Sequence, residues 1–256
     1  MSTIQESAKK STAILAELIN NSNNIVFFGG AGVSTESNIP DFRSKDGLYS
    51  TVERYGYPPE QLLSHSFFRD NPELFFQYYK TSLIHVGAKP NAAHIALAEL
   101  ERCGKLKAVI TQNVDGLHQA AGSRNVLELH GTNHRHYCIG CGESYNLEYI
   151  MYTDNCEIFV PKCLKCGDTV RPDIVLYEEQ LDEDVMQASV KAIAAADCFI
   201  VGGTSLVVYP AAGLLRYFKG RDLVLINRDK TPYDGNANLV IRESIAEVLG
   251  VAVGVY

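Results

Sequence analysis

The sequence predicts an α/β fold: a parallel sheet covered on both faces and interrupted by a helical insert and a small metal-binding insert. Three observations predict it. Short apolar runs recur, several of them ending in glycine or small polar residues. Helical stretches lie between those runs. Two C-x-x-C pairs, Cys138-Ile-Gly-Cys141 and Cys163-Leu-Lys-Cys166, sit in mid-chain. Strands alternating with helices specify a parallel sheet, because each crossover helix packs on a sheet face. At 256 residues the chain is long enough to bury a sizeable core.

The elements follow in order. A first helix is expected over about 6–20, where Ile14, Leu15, Leu18 and Ile19 recur at helical spacing and make one apolar face. A polar break from Asn20 to Asn24 ends it. Ile25-Val-Phe-Phe28 is short and apolar throughout, as a strand buried on both faces must be. Ala108-Val-Ile-Thr111, Phe199-Ile-Val201 and Leu223-Val-Leu-Ile226 have the same character. Helices are expected over 92–101 and 184–196. Two segments break the rhythm. Residues from about 45 to 89 hold clustered aromatics (Phe67, Phe68, Phe75, Phe76, Tyr78, Tyr79) and read as helical; residues from about 134 to 170 hold the paired cysteines.

A C-x-x-C pair brings two thiolates to one ion from a tight turn, and two pairs complete a tetrahedron of sulfurs. Twenty-one residues separate the pairs, a spacing close to that of four-cysteine zinc modules. With every position filled by protein, a zinc ion here is a structural clamp; a catalytic zinc keeps one position open. The other reading is two unrelated redox or buried pairs. His134 and His136 stand near Cys138, but four sulfurs already fill the site, and Cys156 is a similar spare. Cys103 and Cys198 read as small core residues.

A net charge of −7 argues against a general nucleic-acid binder, which needs a basic face. Seven cysteines with no extracellular context point to a reducing compartment. The first residues lack an apolar run behind Lys9 and Lys10, and no stretch is apolar enough to span a bilayer. The expectation is a soluble, cytoplasmic protein with no membrane partner and no direct nucleic-acid binding.

Gly30-Ala31-Gly32 after a strand can bring backbone amides to a pyrophosphate. The full dinucleotide fingerprint needs a third glycine where Thr35 stands, so the turn alone is equally a plain strand–helix connection. Gly202-Gly203-Thr204-Ser205 also follows a strand. Asn227 follows another, where it can hydrogen-bond a ribose hydroxyl or serve as a turn residue. Three strand ends furnished this way favour a dinucleotide crevice. Asp41-Phe42-Arg43, Thr111-Gln112-Asn113-Val114-Asp115 and His130 add acids, amides, an arginine and a group that titrates near neutrality.

These residues carry a resemblance. Gly30-Ala-Gly-Val-Ser-Thr-Glu-Ser-Asn-Ile-Pro-Asp-Phe-Arg43, Thr111-Gln-Asn-Val-Asp115, His130-Gly131, the paired cysteines and Gly203-Thr-Ser-Leu-Val-Val-Tyr-Pro-Ala-Ala212 are similar to the sirtuins, the NAD-dependent protein deacylases. The likeness spans roughly residues 12–248, with the motifs in the family's order. It implies a Rossmann-type large domain (about 1–44, 86–133 and 171–256), a helical insert (about 45–85) and a zinc-ribbon insert (about 134–170). It implies NAD as co-substrate, one structural zinc per chain held by Cys138, Cys141, Cys163 and Cys166, and an acetylated protein or peptide as partner.

The resemblance also implies roles. His130 would be the general base on the ribose hydroxyls, a task that suits an imidazole's ordinary pKa of about 6.5. Asn113 would contact the ribose and order water. Asp115, with Val114, would hold the nicotinamide carboxamide, and Phe42 would shield the reactive face. Gly30, Ala31, Gly32, Thr35, Arg43 and Gln112 would bind NAD on one side; Gly203, Thr204, Ser205, Asn227 and Ile245 on the other. Val175, Leu176 and Tyr177 would pair with the substrate peptide through backbone hydrogen bonds.

Two departures from the family pattern stand out. Glu178 occupies the glycine of a common Phe-Gly-Glu run, where it either favours basic flanking residues or points to water. The Tyr-x-x-Arg pair of succinyl- and malonyl-preferring sirtuins is absent from Phe75-Phe-Gln-Tyr-Tyr79-Lys80, which implies a preference for acetyl and other short neutral acyl groups. Two other functions remain open at this point: a mono-ADP-ribosyltransferase on the same scaffold, and a non-enzymatic zinc-ribbon binding module.

Overall fold

The structure is a computed structural model that describes residues 2–41, 51–152 and 160–255. In chain order its strands are β1 (Ile25–Gly29), β2 (Leu106–Thr111), β3 (Val126–Glu128), β4 (Gly131–Cys138), β5 (Ser144–Asn146), β6 (Val170–Ile174), β7 (Cys198–Gly202), β8 (Asp222–Ile226) and β9 (Leu239–Ile241). Six of them form one parallel sheet in the order β3-β2-β1-β7-β8-β9, and β5-β4-β6 form a second, antiparallel sheet.

Every residue of β1, β7 and β8 is buried, which is why those runs are apolar without alternation. The register sets Phe27 between Val109 and Ile200. One face of the sheet packs Leu15, Leu97, Leu100, Val248 and Leu249 from helices Ser2–Asn21, Ala92–Arg102 and Ile245–Val253. The other face packs Ile193 of helix Glu183–Ala195 with Phe199 and Leu215. The first helix begins earlier than its apolar stripe suggests. Its carboxyl end is held by Lys105, whose Nζ donates to the carbonyls of Ile19 (3.0 Å), Asn20 (2.9 Å) and Ser22 (2.9 Å). Those are carbonyls a helix end leaves without partners. β3 and β9 are not among the strands the sequence predicts, because three residues at a sheet edge are too few to show a period; nor are β4, β5 and β6, whose residues form no apolar run.

The helical insert comprises Pro59–Leu62, His65–Asp70, Pro72–Tyr78 and a π-helical turn at Tyr79–Leu83. The second sheet runs from Gly131 to Ile174, beyond the insert boundaries expected from the cysteines. The two inserts share one core: Phe75, Phe76 and Tyr79 pack with Cys138, Ile150, Cys163 and Val170. Phe75 and Tyr79 stack with centroids 6.0 Å apart, and the Tyr79 hydroxyl hydrogen-bonds His136 Nε2 at 2.9 Å. The ribbon therefore leans on the aromatic side chains of the helical insert.

One cysteine departs from expectation. Cys198 is buried, but Cys103 is exposed and its thiol faces Glu99 Oε1 at 3.3 Å. It follows the last turn of helix Ala92–Arg102, where the chain has already left the core. Cys156 lies outside the described residues.

Candidate functional site

The order of the large sheet reverses at β1, which has β2 on one side and β7 on the other. Loops leaving the carboxyl ends of two such strands diverge, and the crevice between them is where open α/β sheets bind ligands. Here the two glycine-rich loops touch before they diverge. Gly30 N donates to Gly202 O (3.3 Å) and Gly32 N to Gly203 O (2.8 Å). A Cβ added at Gly32 would lie 2.8 Å from Gly203 Cα, and one at Gly30 would lie 2.9 Å from Thr204 Cβ. The glycines are thus needed for a backbone-to-backbone crossing as well as for any approach of a phosphate. Two short helical turns, Ala31–Val33 and Thr35–Ser37, follow β1 in place of a long helix.

Beside the crossing lies a cleft of about 100 Å³ lined by Gly32, Thr35, Gly203, Asn227, Ser244 and Ile245. Asn227 is braced by its own side chain, whose Nδ2 donates to Asp229 O at 2.9 Å. Ile245 opens the last helix and is buried beneath Gly202. Gln112 reaches over from β2, its Nε2 donating to Thr204 Oγ1 at 3.1 Å. Ser205 follows on the same loop, half-buried. A glycine cradle at the switch point, with polar groups from β2, β7 and β8 around it, fits a dinucleotide.

At the other end of the crevice Ser34 reaches Asn113 and Asp115 from 79 and 81 residues away. Its Oγ accepts from Asn113 Nδ2 (3.1 Å) and donates to Asp115 Oδ2 (2.6 Å). The other oxygen of Asp115 accepts from Leu117 N at 2.9 Å, so the carboxylate is fixed from two sides. His134 Nε2 donates to the Asp115 carbonyl at 3.0 Å, far from a role as metal ligand. Val114 O accepts from Asn133 N at 2.9 Å, which ties this loop to the start of β4.

His130 precedes β4. Its Nδ1 donates to Gln112 O at 3.0 Å, and since a carbonyl can only accept, the neutral ring carries its lone pair on Nε2. The His130 carbonyl accepts from Val175 N at 2.9 Å. The histidine therefore stands between the Gln112–Asp115 loop and the segment after β6. Phe42 and Arg43 lie outside the described residues.

Sequence reasoning missed Ser34 and Asn91. Asn91 Nδ2 donates to Val33 O (2.8 Å) and Ser37 Oγ (3.0 Å), pinning the loop after β1 to helix Ala92–Arg102. Next to it His94 and His118 are buried, with ring centroids 4.8 Å apart. Burial pushes their pKa values down to about 4 and about 3. A lone small hydroxyl and a pre-helical asparagine carry no pattern that could have marked them; only the contiguous motif around Ser34 hinted at it.

In the segment after β6, Val175 N is joined by Leu176 N, which donates to Glu179 Oε2 at 2.8 Å, and Tyr177 N, which donates to Leu63 O at 2.9 Å. Their N–H groups are thus engaged within the chain. Glu178 does not simply point to water: Ser66 N and Ser66 Oγ both donate to its carboxylate at 2.9 Å.

The four cysteines converge as their spacing requires. Their sulfurs all lie within 4.8 Å of one another, with Cys138–Cys166 at 3.4 Å and Cys141–Cys163 at 3.6 Å. Ligands of a tetrahedral zinc with bonds of about 2.3 Å stand about 3.8 Å apart; a disulfide would need about 2.05 Å. The set fits one zinc ion. Tyr145 OH (3.2 Å) and Lys165 N (3.4 Å) donate to Cys163 Sγ, as outer groups of thiolate sites do. His136 is committed to Tyr79 and takes no part.

A parallel sheet covered on both faces, with a glycine-lined cleft at its switch point, is the architecture of nucleotide-binding α/β proteins. The chain belongs to the Sir2 family, which it matches over residues 30–210. It is 60% identical over 235 residues to an NAD-dependent protein deacetylase of Clostridium acetobutylicum, covering 92% of this chain and 95% of that one. It is 53% identical to a protein of the same description from Cutibacterium acnes, over 92% and 94% of the two chains. Among solved structures it resembles a Sir2 homologue in complex with NAD (TM-score 0.83, 42% identity, 94% of this chain and 91% of that one). It likewise resembles a Sir2 protein with a deacetylated p53 peptide and 3′-O-acetyl ADP-ribose (TM-score 0.84, 38% identity, 93% and 95%).

Proposed function

We propose that the chain is an NAD-dependent protein-lysine deacetylase that yields nicotinamide, free lysine and acetyl-ADP-ribose. The observation that carries this reading is His130, oriented by the Gln112 carbonyl beside the Asn113–Ser34–Asp115 chain. Bound NAD supplies an electrophilic ribose carbon with nicotinamide as its leaving group. Gly30, Ala31, Gly32, Thr35, Gly203, Thr204 and Ser205 would hold its phosphates and nearer ribose, and Asn227 and Ile245 would flank the adenosine end. Asp115, its carboxylate already fixed by Ser34 and Leu117, would receive the carboxamide with Val114. A fixed acceptor costs no reorganisation when the ligand arrives. His130 would take a ribose-hydroxyl proton at Nε2 while Nδ1–H stays on the Gln112 carbonyl, which also steadies the imidazolium that forms. The substrate would be an acetyl-lysine in an extended peptide lying along the segment after β6.

A mono-ADP-ribosyltransferase would use the same cleft but has no use for a base placed to act on the ribose hydroxyls. Incubating the purified chain with NAD and an acetyl-lysine peptide, with mass detection of products, tests the proposal. Equal yields of nicotinamide and acetyl-ADP-ribose are expected. ADP-ribose attached to protein with no deacetylated peptide would replace it by the transferase reading. No helix of the described residues is long and apolar enough to cross a membrane.

A further inference from the structure

The segment Val175 to Glu179 lies against Leu63 to Ser66 of the helical insert. Backbone bonds join them: Tyr177 N donates to Leu63 O at 2.9 Å, and His65 N donates to Tyr177 O at 3.0 Å. Two carboxylates then cross the same junction. Glu179 is rooted inward. It accepts from Arg171, a buried residue, at 2.6 and 3.0 Å, from Leu176 N at 2.8 Å and from His65 Nδ1 at 2.8 Å. Glu178 is exposed, yet Ser66 N donates to one of its oxygens and Ser66 Oγ to the other, each at 2.9 Å. In helix His65–Asp70 the N–H of Phe67 is capped by Ser64 Oγ at 3.2 Å, and Glu178 supplies the cap for Ser66 from 112 residues away.

The backbone of Glu178 has φ +78°. That is the left-handed region, where a residue with a side chain persists only if its surroundings over-determine it. Glycine takes such an angle without strain but has nothing with which to hold Ser66. The chain therefore carries, at a strained position, the one feature a glycine there would lack.

We infer that Glu178 is a positioning residue for the substrate peptide: by gripping Ser66 it fixes the Val175–Glu179 segment on the helical insert and presets the edge along which the peptide lies. The inference rests on the deacetylase reading. A preset edge spares the binding step the cost of ordering a loop. The competing role for a carboxylate here is to attract basic residues flanking the acetyl-lysine. Both Glu178 oxygens are turned to a neutral partner, which is the geometry of a clamp.

Glu178→Gln, Glu178→Gly and Ser66→Ala separate the two roles. Each is assayed with two acetyl-lysine peptides, one with basic and one with acidic flanks, and by hydrogen exchange over residues 63–67 without substrate. Glu178→Gln keeps an acceptor for Ser66 N–H and should stay within about twofold of the parent on both peptides. Glu178→Gly and Ser66→Ala should raise the peptide KM about two- to tenfold on both peptides alike, with kcat and the KM for NAD held. Exchange at Ser66 should accelerate in Glu178→Gly. A loss in Glu178→Gln confined to the basic peptide overturns the clamp in favour of charge recognition, and an unchanged peptide KM in Glu178→Gly overturns it outright. Absence of turnover by the parent chain would sink the deacetylase reading and the positioning role with it, while the exchange result would still judge the clamp itself.

Discussion

Gly203→Ala tests the loop crossing on which the cleft depends. Gly203 has φ +59°, and a left-handed alanine costs roughly 1–2 kcal/mol. Its added Cβ would also collide with Val33 N and lie 2.7 Å from Gly32 C. Both are backbone atoms, so no side-chain rotation relieves the overlap and the loops must part. Overpacking of this kind costs roughly 1–3 kcal/mol. The total is about 2–5 kcal/mol, and at roughly 2–4 °C per kcal/mol for a chain of this size the melting temperature should fall by about 4–20 °C. Parting the loops breaks the Gly32 N–Gly203 O bond and spoils the cleft wall, so the KM for NAD should rise about tenfold or more while the peptide KM moves less. Gly104→Ala is the control: φ is +72°, but an added Cβ meets nothing within 4 Å, so only the conformational cost applies. Thermal melts and NAD kinetics on both variants decide. If Gly203→Ala melts with Gly104→Ala, or keeps its KM for NAD within about twofold, the crossing is not what the glycine is for.

His130→Ala should lower deacetylation by roughly 10²–10⁴-fold and leave NAD binding measured by calorimetry nearly intact; a variant within a few-fold of the parent would remove the base assignment. Cys141→Ala, or strong chelation, should release one zinc per chain. It should raise hydrogen exchange in the helical insert as well as in β4 to β6, because Cys138 and Cys163 share a core with Phe75, Phe76 and Tyr79. Zinc loss with the insert still protected would contradict the shared core. Acetyl-lysine should be turned over at far higher kcat/KM than succinyl-lysine on one peptide, since Phe76 and Tyr79 are buried in that core and the sequence from Phe75 to Lys80 has no Tyr-x-x-Arg pair; equal efficiencies would point to Lys80 or Arg54 as an acid-binding group. His94, His118 and His136 are kept neutral by burial, which lowers their pKa values from 6.5 to about 4, 3 and 4. The unfolded chain takes up these protons first, so this stability is present above about pH 6.5 and lost as pH falls toward the folded values, at up to ~1.4 kcal/mol per pH unit for each histidine. Urea denaturation between about pH 6.5 and 5 should show the loss. His118→Leu should flatten the slope by about one proton, and an unchanged slope would refute its share.

Four of the six strands of the large sheet, the convergence of the paired cysteines and the order of the motifs were legible in the sequence, because each depends on neighbours in the chain. A strand buried on both faces has to be apolar along its length, as in β1, β7 and β8. A C-x-x-C turn places two sulfurs whatever surrounds it. The glycine loops showed in the residues, though not that they touch each other. What only the tertiary structure decided are contacts between distant segments. Ser34 bridges Asn113 and Asp115 across 79 and 81 residues. The helical insert and the ribbon close around one core, where the sequence suggested two separate inserts. Cys103 lies just outside the helix that would have buried it. Glu178, read as a carboxylate that either draws basic flanking residues or points to water, holds Ser66 of another element. A residue's type and spacing report the average environment of its own element. Which hydroxyl meets which carboxylate depends on how whole elements pack, and that is set by the folded chain as a unit.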